Sequence, residues 1–196
     1  MYHSVVKYTV TLFLLVILIF TQVFAMSTDK NESSSVAIAW GEVKSGIQAG
    51  ILVKTGNPSR IENTLKHSDP LPVKIFIKNS GKKERIISSA MLAYWHWKIL
   101  LKDSINNAKY QAVLFPPAKP ISPFISVTLA PNDIKELEIT CHQWRNMNNV
   151  KTDHSTNIIV GEYEVVGSYK QEKTLDSFAW SGELVTGGAK INIVEN

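Results

Sequence analysis

Cysteine is nearly absent: Cys141 is the only one, so no disulfide can form within the chain. A chain without disulfides must hold its fold by burial alone. Also missing is any stretch that keeps a 3.6-residue apolar period over three turns, which argues against a helical body. No Gly-x-Ser-x-Gly elbow, phosphate loop or paired-carboxylate signature occurs, so hydrolase and nucleotide-binding readings have no starting point. His67, His96, His142 and His154 lack the spacing of a metal site, which needs three or four converging N, S or O ligands. Neither a metal nor a cofactor is expected. Concentrated charge is lacking too. The net charge is +4, falling to +3 without Lys7, and the one tight basic cluster, Lys82-Lys83-Glu84-Arg85, carries its own acid. A nucleic-acid or anionic-membrane partner would need a basic face.

What is present begins with an export signal. Lys7 supplies a positive start, Val10 to Phe20 is apolar apart from Thr11, and Val23-Phe24-Ala25 offers a cleavage site. The apolar run is short for a membrane span. Residues 1–25 are therefore expected to be a signal peptide cut after Ala25. An uncleaved signal, the rival reading, is the only membrane attachment the sequence suggests. With no cysteine near the cut, a lipoprotein signal is not supported. Residues 26–35 are polar and aperiodic, a flexible lead. That leaves 36–196 as one domain, long enough to hide roughly 70% of its unfolded surface.

The domain reads as β throughout. Val73 to Lys78 alternates with period two and ends at Asn79-Ser80-Gly81, and Arg85 to Ser88 resumes extended, so a hairpin is predicted there. In Met91 to Leu101, Trp95, Trp97, Ile99 and Leu101 share one parity, predicting a strand that pairs with Tyr110 to Phe115; a helix is the alternative. The prolines at 116, 117, 120 and 123 cannot join an interior ladder and predict a stiff surface loop. Phe124 to Leu129 is a strand, Ala130-Pro131-Asn132-Asp133 a turn, and Ile134 to Cys141 alternates with Leu137, Ile139 and Cys141 on one side. Residues 142–157 predict the longest loop. Gly161 to Tyr169 is a strand, and Ala189 to Val194 closes the chain.

Two stretches frame this body. Trp40-Gly41-Glu42-Val43-Lys44-Ser45-Gly46-Ile47 and Trp180-Ser181-Gly182-Glu183-Leu184-Val185-Thr186-Gly187 share Trp, Gly-Glu, an aliphatic residue, Ser or Thr, and Gly. They read as the tied ends of one domain, with Trp40, Gly46, Trp180 and Gly187 as structural positions. Trp40 and Trp180 are expected as core pins rather than a ligand clamp.

The stretches Trp40, Gly41, Gly46, Gln48, Gly50 and Trp180, Gly182, Leu184, Thr186, Gly187 resemble the opening and closing motifs of bacterial, planctomycete-type exported Ig-like β-sandwich domains of unassigned function. Residues 71–79 and 129–139 are similar to segments of the intracellular proteinase inhibitor family of bacilli. The resemblance covers nearly the whole mature chain, and its ends are more specific than its middle. It implies an all-β, Ig-like or fibronectin-III-like antiparallel sandwich of seven to nine strands behind a signal peptide. In such folds a tyrosine opening the penultimate strand bonds back to the corner before it, and Tyr163 in Gly161-Glu162-Tyr163 is the candidate.

The expected function is non-enzymatic: a protein-interaction module in the periplasm, the cell envelope or outside the cell, whose partner is another protein of that space. Cys141 shares parity with Leu137 and Ile139 and reads as a buried hydrophobe, not a nucleophile. Candidate contact residues are Tyr94 and His96, Pro117 and Pro120 in the stiff loop, and His142 and His154 beside the long loop. Two alternatives stay open: a peptidase inhibitor offering the proline-rich loop, and a carbohydrate-binding module using Tyr94 and His96.

Overall fold

The computed structural model describes residues 37–53, 64–103, 109–116, 125–148, 158–173 and 179–195. Among them there is no α-helix. In chain order the strands are β1 (Ala39–Trp40), β2 (Ile47–Val53), β3 (Thr64–Lys66), β4 (Leu71–Asn79), β5 (Arg85–Ser88), β6 (Lys98–Asp103), β7 (Lys109–Ala112), β8 (Ser126–Leu129), β9 (Ile134–Cys141), β10 (Trp144–Asn146), β11 (Gly161–Gln171), β12 (Gly182–Val185) and β13 (Ala189–Val194). Two 3-10 turns, Ser89–Leu92 and Tyr94–His96, lie between β5 and β6.

The strands form a four-stranded sheet in the order β1-β2-β4-β9 and a seven-stranded sheet in the order β10-β7-β6-β11-β13-β3, with β12 also on β11. A small third sheet pairs β5 with β8. The alternation read from sequence places the core. Ile47, Ala49, Ile51 and Val53 of β2, Val73, Ile75 and Ile77 of β4, and Ile139 and Cys141 of β9 are all buried. They share one apolar cluster with Ile99, Leu101, Tyr110, Trp144, Tyr163, Val165, Leu184, Ile191 and Ile193 from the larger sheet. The sheets pack closely at Gly167 of β11, where an added Cβ would meet Ile75 Cδ1 at 2.9 Å. Tyr163 Oη donates to the Ile159 carbonyl four residues upstream at 2.6 Å. Burial first, then the neighbouring Tyr110 and Asp103, holds that phenol in its protonated form well above the usual range.

The framing stretches lie side by side. Gly187 N–H donates to the Ala39 carbonyl at 3.1 Å. Gly41 packs so closely on the Val185 carbonyl that a Cβ there would sit 1.8 Å from its oxygen. Trp180 Nε1–H donates to the Lys44 carbonyl at 3.0 Å. The contacts run 39 to 187, 41 to 185 and 44 to 180, an antiparallel seam. Because β1 belongs to the smaller sheet and β12 to the larger, the seam stitches the two sheets together along one side. Ser45 and Gly46, both at positive φ, make the tight turn that brings Lys44 there.

Several expectations need correction. The strand count is thirteen among the described residues rather than seven to nine, since strands of two to four residues show no period. The pairing is not wholly antiparallel, because β3 runs parallel to β13. The Asn79-Ser80-Gly81 turn does not close a hairpin: β4 pairs with β2 and β9, while β5 pairs with β8. The buried Asn79 side chain explains the crossing, since its Nδ2 donates to the carbonyls of Lys83 and Leu129. Met91 to Leu101 is not one strand. Ser88 Oγ accepts from Ala90 N–H and starts a 3-10 turn, and β6 begins only at Lys98. Trp144 to Asn146 falls inside the predicted loop yet pairs with β7. Trp40 is half-buried and outside the core: it lies over Gly50 on the outer face of the smaller sheet, beside Phe76 at 6.3 Å.

Candidate functional site

One side of the all-β domain is closed by the seam; the opposite side is where β9 leaves the smaller sheet. After Cys141 the chain crosses at His142 and Gln143 into β10 of the larger sheet, and Val113 N–H donates to the Gln143 carbonyl at 2.9 Å. Beyond that bond the two strands separate, β9 toward β4 and residues 113–116 toward the 3-10 turns. A groove of about 480 Å³ opens between them, lined by Tyr94, Val113 to Phe115, Glu138 to Thr140, His142 and Gln143. This volume lies within the range of small-ligand sites.

Its walls differ in character. Tyr94 Oη donates to the Phe115 carbonyl at 2.9 Å, which fixes the aromatic wall. Trp95 stacks edge-on against Tyr94, with ring centroids 5.1 Å apart, and supports it from behind. Phe115 is 63% exposed, the most exposed of the large apolar side chains described. The other wall is the β9 strand, with Glu138 and Thr140 facing outward and Ile139 inward. Lys74 on β4, largely covered, is ion-paired to both Glu136 and Glu138 on that same outer face.

Of the residues singled out from sequence, the groove brings together Tyr94 and His142. His96 is exposed on the same 3-10 turn as Tyr94 but does not line the groove, because the turn replaces the strand alternation that would have aligned them. Pro117, Pro120 and His154 lie outside the described residues. Phe115, Glu138 and Thr140 were missed. Phe115 was readable only as the last apolar residue before Pro116, and Glu138 and Thr140 only as the polar side of β9.

Little here is poised for reaction. Cys141 backs onto the groove from inside the core, and burial pushes its thiol up to about 12, which keeps it protonated. Among the described residues no three His, Cys, Asp or Glu side chains gather closely enough to hold a metal ion. The site can offer an aromatic face, several hydrogen-bonding groups and a strand edge.

No family model and no curated protein matches the chain. Solved structures resemble it only in part. Against β-glucosidase EmGH1 of Erythrobacter marinus the TM-score is 0.33 at 15% identity, covering 81% of this chain and 15% of that enzyme. Against the β-glucosidase of Listeria innocua in complex with glucose it is 0.33 at 14% identity, covering 79% and 17%. The chain thus spans about a sixth of either enzyme's length, and the likeness carries no argument about activity. The chain is an all-β domain, weakly similar to parts of β-glucosidases and without a family assignment.

Proposed function

We propose that this chain is an exported, non-catalytic β-sandwich of the Ig-like type, a protein-interaction module of the cell envelope or the space outside it. Its contact surface is the Tyr94–Phe115–His142 groove. The Ig-like reading is supported by the strand order, with β2-β4-β9 in one sheet and β7-β6-β11-β13 in the other, and by the back-bond from Tyr163 near the start of the long β11. The small parallel β3 and the added β10 depart from the simplest such sandwich. Export rests on the apolar leader read from sequence.

The observation that carries the functional reading is the groove itself. An aromatic wall fixed by a hydrogen bond, with an exposed phenylalanine on its rim, is a surface for contact rather than packing. A saccharide is the second reading, favoured by Phe115 sharing the groove with Thr140, His142 and Gln143. The inhibitor alternative rests on the proline-rich loop, which lies outside the described residues. A photo-crosslinking amino acid at position 115, compared with one at the distant exposed Val185, separates the first two. The proposal expects a discrete protein adduct in the native envelope from 115 alone. Equal labelling from both positions, or binding confined to a glycan array, would count against it.

A further inference from the structure

We propose that the connection between β4 and β5 is an oxyanion site, in which Arg85, Lys82 and Lys83 hold a phosphate group. The site is separate from the groove and does not depend on it. Its centre is Arg85, whose Nε is buried and meets no acceptor. Buried donors of this kind are rare, and each calls for a reason. The guanidinium lies across two glycines of the turns. A Cβ built on Gly46 would stand 2.9 Å from Nε, 3.2 Å from Nη2 and 3.4 Å from Cζ, and one on Gly81 would stand 3.8 Å from Nε. Bare backbone at Gly46, which also sits at positive φ, is what lets the planar group settle there. The Nε–Nη2 edge is thus turned to the protein, and the Nη1–Nη2 end is the fork left for a ligand.

The charge around that fork is unbalanced. Lys82, Lys83 and Glu84 are exposed beside it, and Glu84 is the one acid of the run. Among the described residues no ion pair joins Glu84 to Arg85, since neighbours entering a strand point to opposite sides. The acids of the adjoining turns are engaged elsewhere: Asp133 Oδ2 accepts from Ala130 N–H at 2.9 Å, and Glu42 pairs with Lys44 at 2.6 Å. Three cations against one acid leave two positive charges, which match a phosphate carrying close to two negative ones. A carboxylate has only two oxygens, and the fork would take both. A phosphate keeps further oxygens for the two lysines.

The loop is held in shape without a ligand. Asn79 pins it at two points, Oδ1 accepting from Gly81 N–H at 3.0 Å and Nδ2 donating to the Lys83 carbonyl at 2.9 Å. Ser80 N–H donates to the Gly46 carbonyl at 2.8 Å, which ties the loop to the glycine beneath Arg85. A guanidinium already dry along one edge sheds less water on binding than a free side chain. One packed on backbone also loses less conformational freedom.

The test titrates the purified isotope-labelled protein with inorganic phosphate and with acetate at constant ionic strength. Resonances of Arg85 Nε–H and of the Gly46, Gly81, Lys82 and Lys83 amides are followed. Phosphate is expected to shift them saturably, and acetate to bind at least about tenfold more weakly. Arg85→Lys keeps the charge and loses the fork, so it should weaken phosphate about tenfold. Because Arg85 is half-buried, K82E/K83E gives a second reading: both side chains are exposed, the urea midpoint should hold, and phosphate binding should vanish. Glucose 6-phosphate and vesicles of phosphatidic acid in phosphatidylcholine then separate a soluble ester from a lipid headgroup. Binding of either that inorganic phosphate displaces and K82E/K83E abolishes supports the site and names its source. Shifts that fail to saturate, or that acetate reproduces at equal concentration, would overturn the proposal. So would phosphate binding that survives unchanged in both variants.

Discussion

Replacing Asn79 with alanine should be among the most damaging single changes in the domain. Asn79 has no exposed surface, and its amide serves three backbone groups. Nδ2 donates to the Lys83 and Leu129 carbonyls at 2.9 Å each, and Oδ1 accepts from Gly81 N–H at 3.0 Å. Lys83 is exposed and Gly81 partly so, so water replaces their bonds at small cost. Leu129 is fully buried, and its carbonyl loses the bond the asparagine supplied. Leu129 keeps its ladder pairing with Arg85, so its carbonyl loses one of two partners; the lost bonds cost about 0.5–1.5 kcal/mol where buried, giving roughly 1–3 kcal/mol in all. For a domain this size each kcal/mol moves Tm by about 2–4 °C. Urea denaturation followed by tryptophan fluorescence is the assay, since Trp97, Trp144 and Trp180 are all buried. Asn79→Asp sharpens the test, because a carboxylate faces two carbonyls and must be protonated to donate to either. Its pKa in the folded state is raised, so its destabilisation is expected to exceed that of Asn79→Ala at neutral pH and to ease as pH falls through that pKa. An Asn79→Ala protein within about 0.5 kcal/mol of wild type would refute the claim that this side chain secures the crossing between the sheets.

Three further outcomes follow from the same physics. Gly187→Ala puts a methyl 2.7 Å from the Trp40 carbonyl oxygen and 2.8 Å from the Ala39 carbonyl carbon, so a loss of about 1–3 kcal/mol is expected. Gly161→Ala, whose nearest contact is an ordinary 3.8 Å, should be close to neutral; equal losses at both positions would sink the seam argument. Tyr163→Phe removes the 2.6 Å bond to Ile159 and should cost about 1 kcal/mol in a chemical melt, with an unchanged midpoint as the contrary result. Cys141 should resist alkylation in the native protein. The unfolded thiol ionises near 9.0 and the folded one only near 12, so its contribution to stability is intact below pH 9 and is lost as pH climbs toward 12. Rapid stoichiometric labelling of native protein at pH 8 would contradict the buried placement.

The sequence made legible whatever depends on alternation. Val73 to Lys78 and Ile134 to Cys141 show their buried faces directly, because a strand pointing one side at a core must repeat every two residues. Tyr163 and the paired tryptophan stretches were legible as local patterns, and the chain folds them into a corner bond and a seam. Elsewhere local chemistry was ambiguous. Asn79-Ser80-Gly81 has the composition of a hairpin turn, and what makes it a crossing is a contact to Leu129, fifty residues away. The Trp95 and Trp97 parity misled because Ser88 caps a 3-10 turn, which leaves Trp95 half-exposed and Trp97 buried with its indole N–H on the Met91 carbonyl. Trp144 to Asn146 is too short to show any period. The groove was the least readable feature, since Tyr94, Phe115, Glu138 and His142 come from segments that only the meeting of two sheet edges brings together.

The whole account depends on the seam, because two sheets stitched on that side leave the other free to open as a groove. Native-state hydrogen exchange at Gly187 N–H and Trp180 Nε1–H, followed across sub-denaturing urea, tests it most directly. The account predicts that both protons exchange only with global unfolding, at the same free energy and urea dependence as the Val165 amide in the core. Exchange of the seam protons by local opening, insensitive to urea while Val165 stays protected, would contradict it.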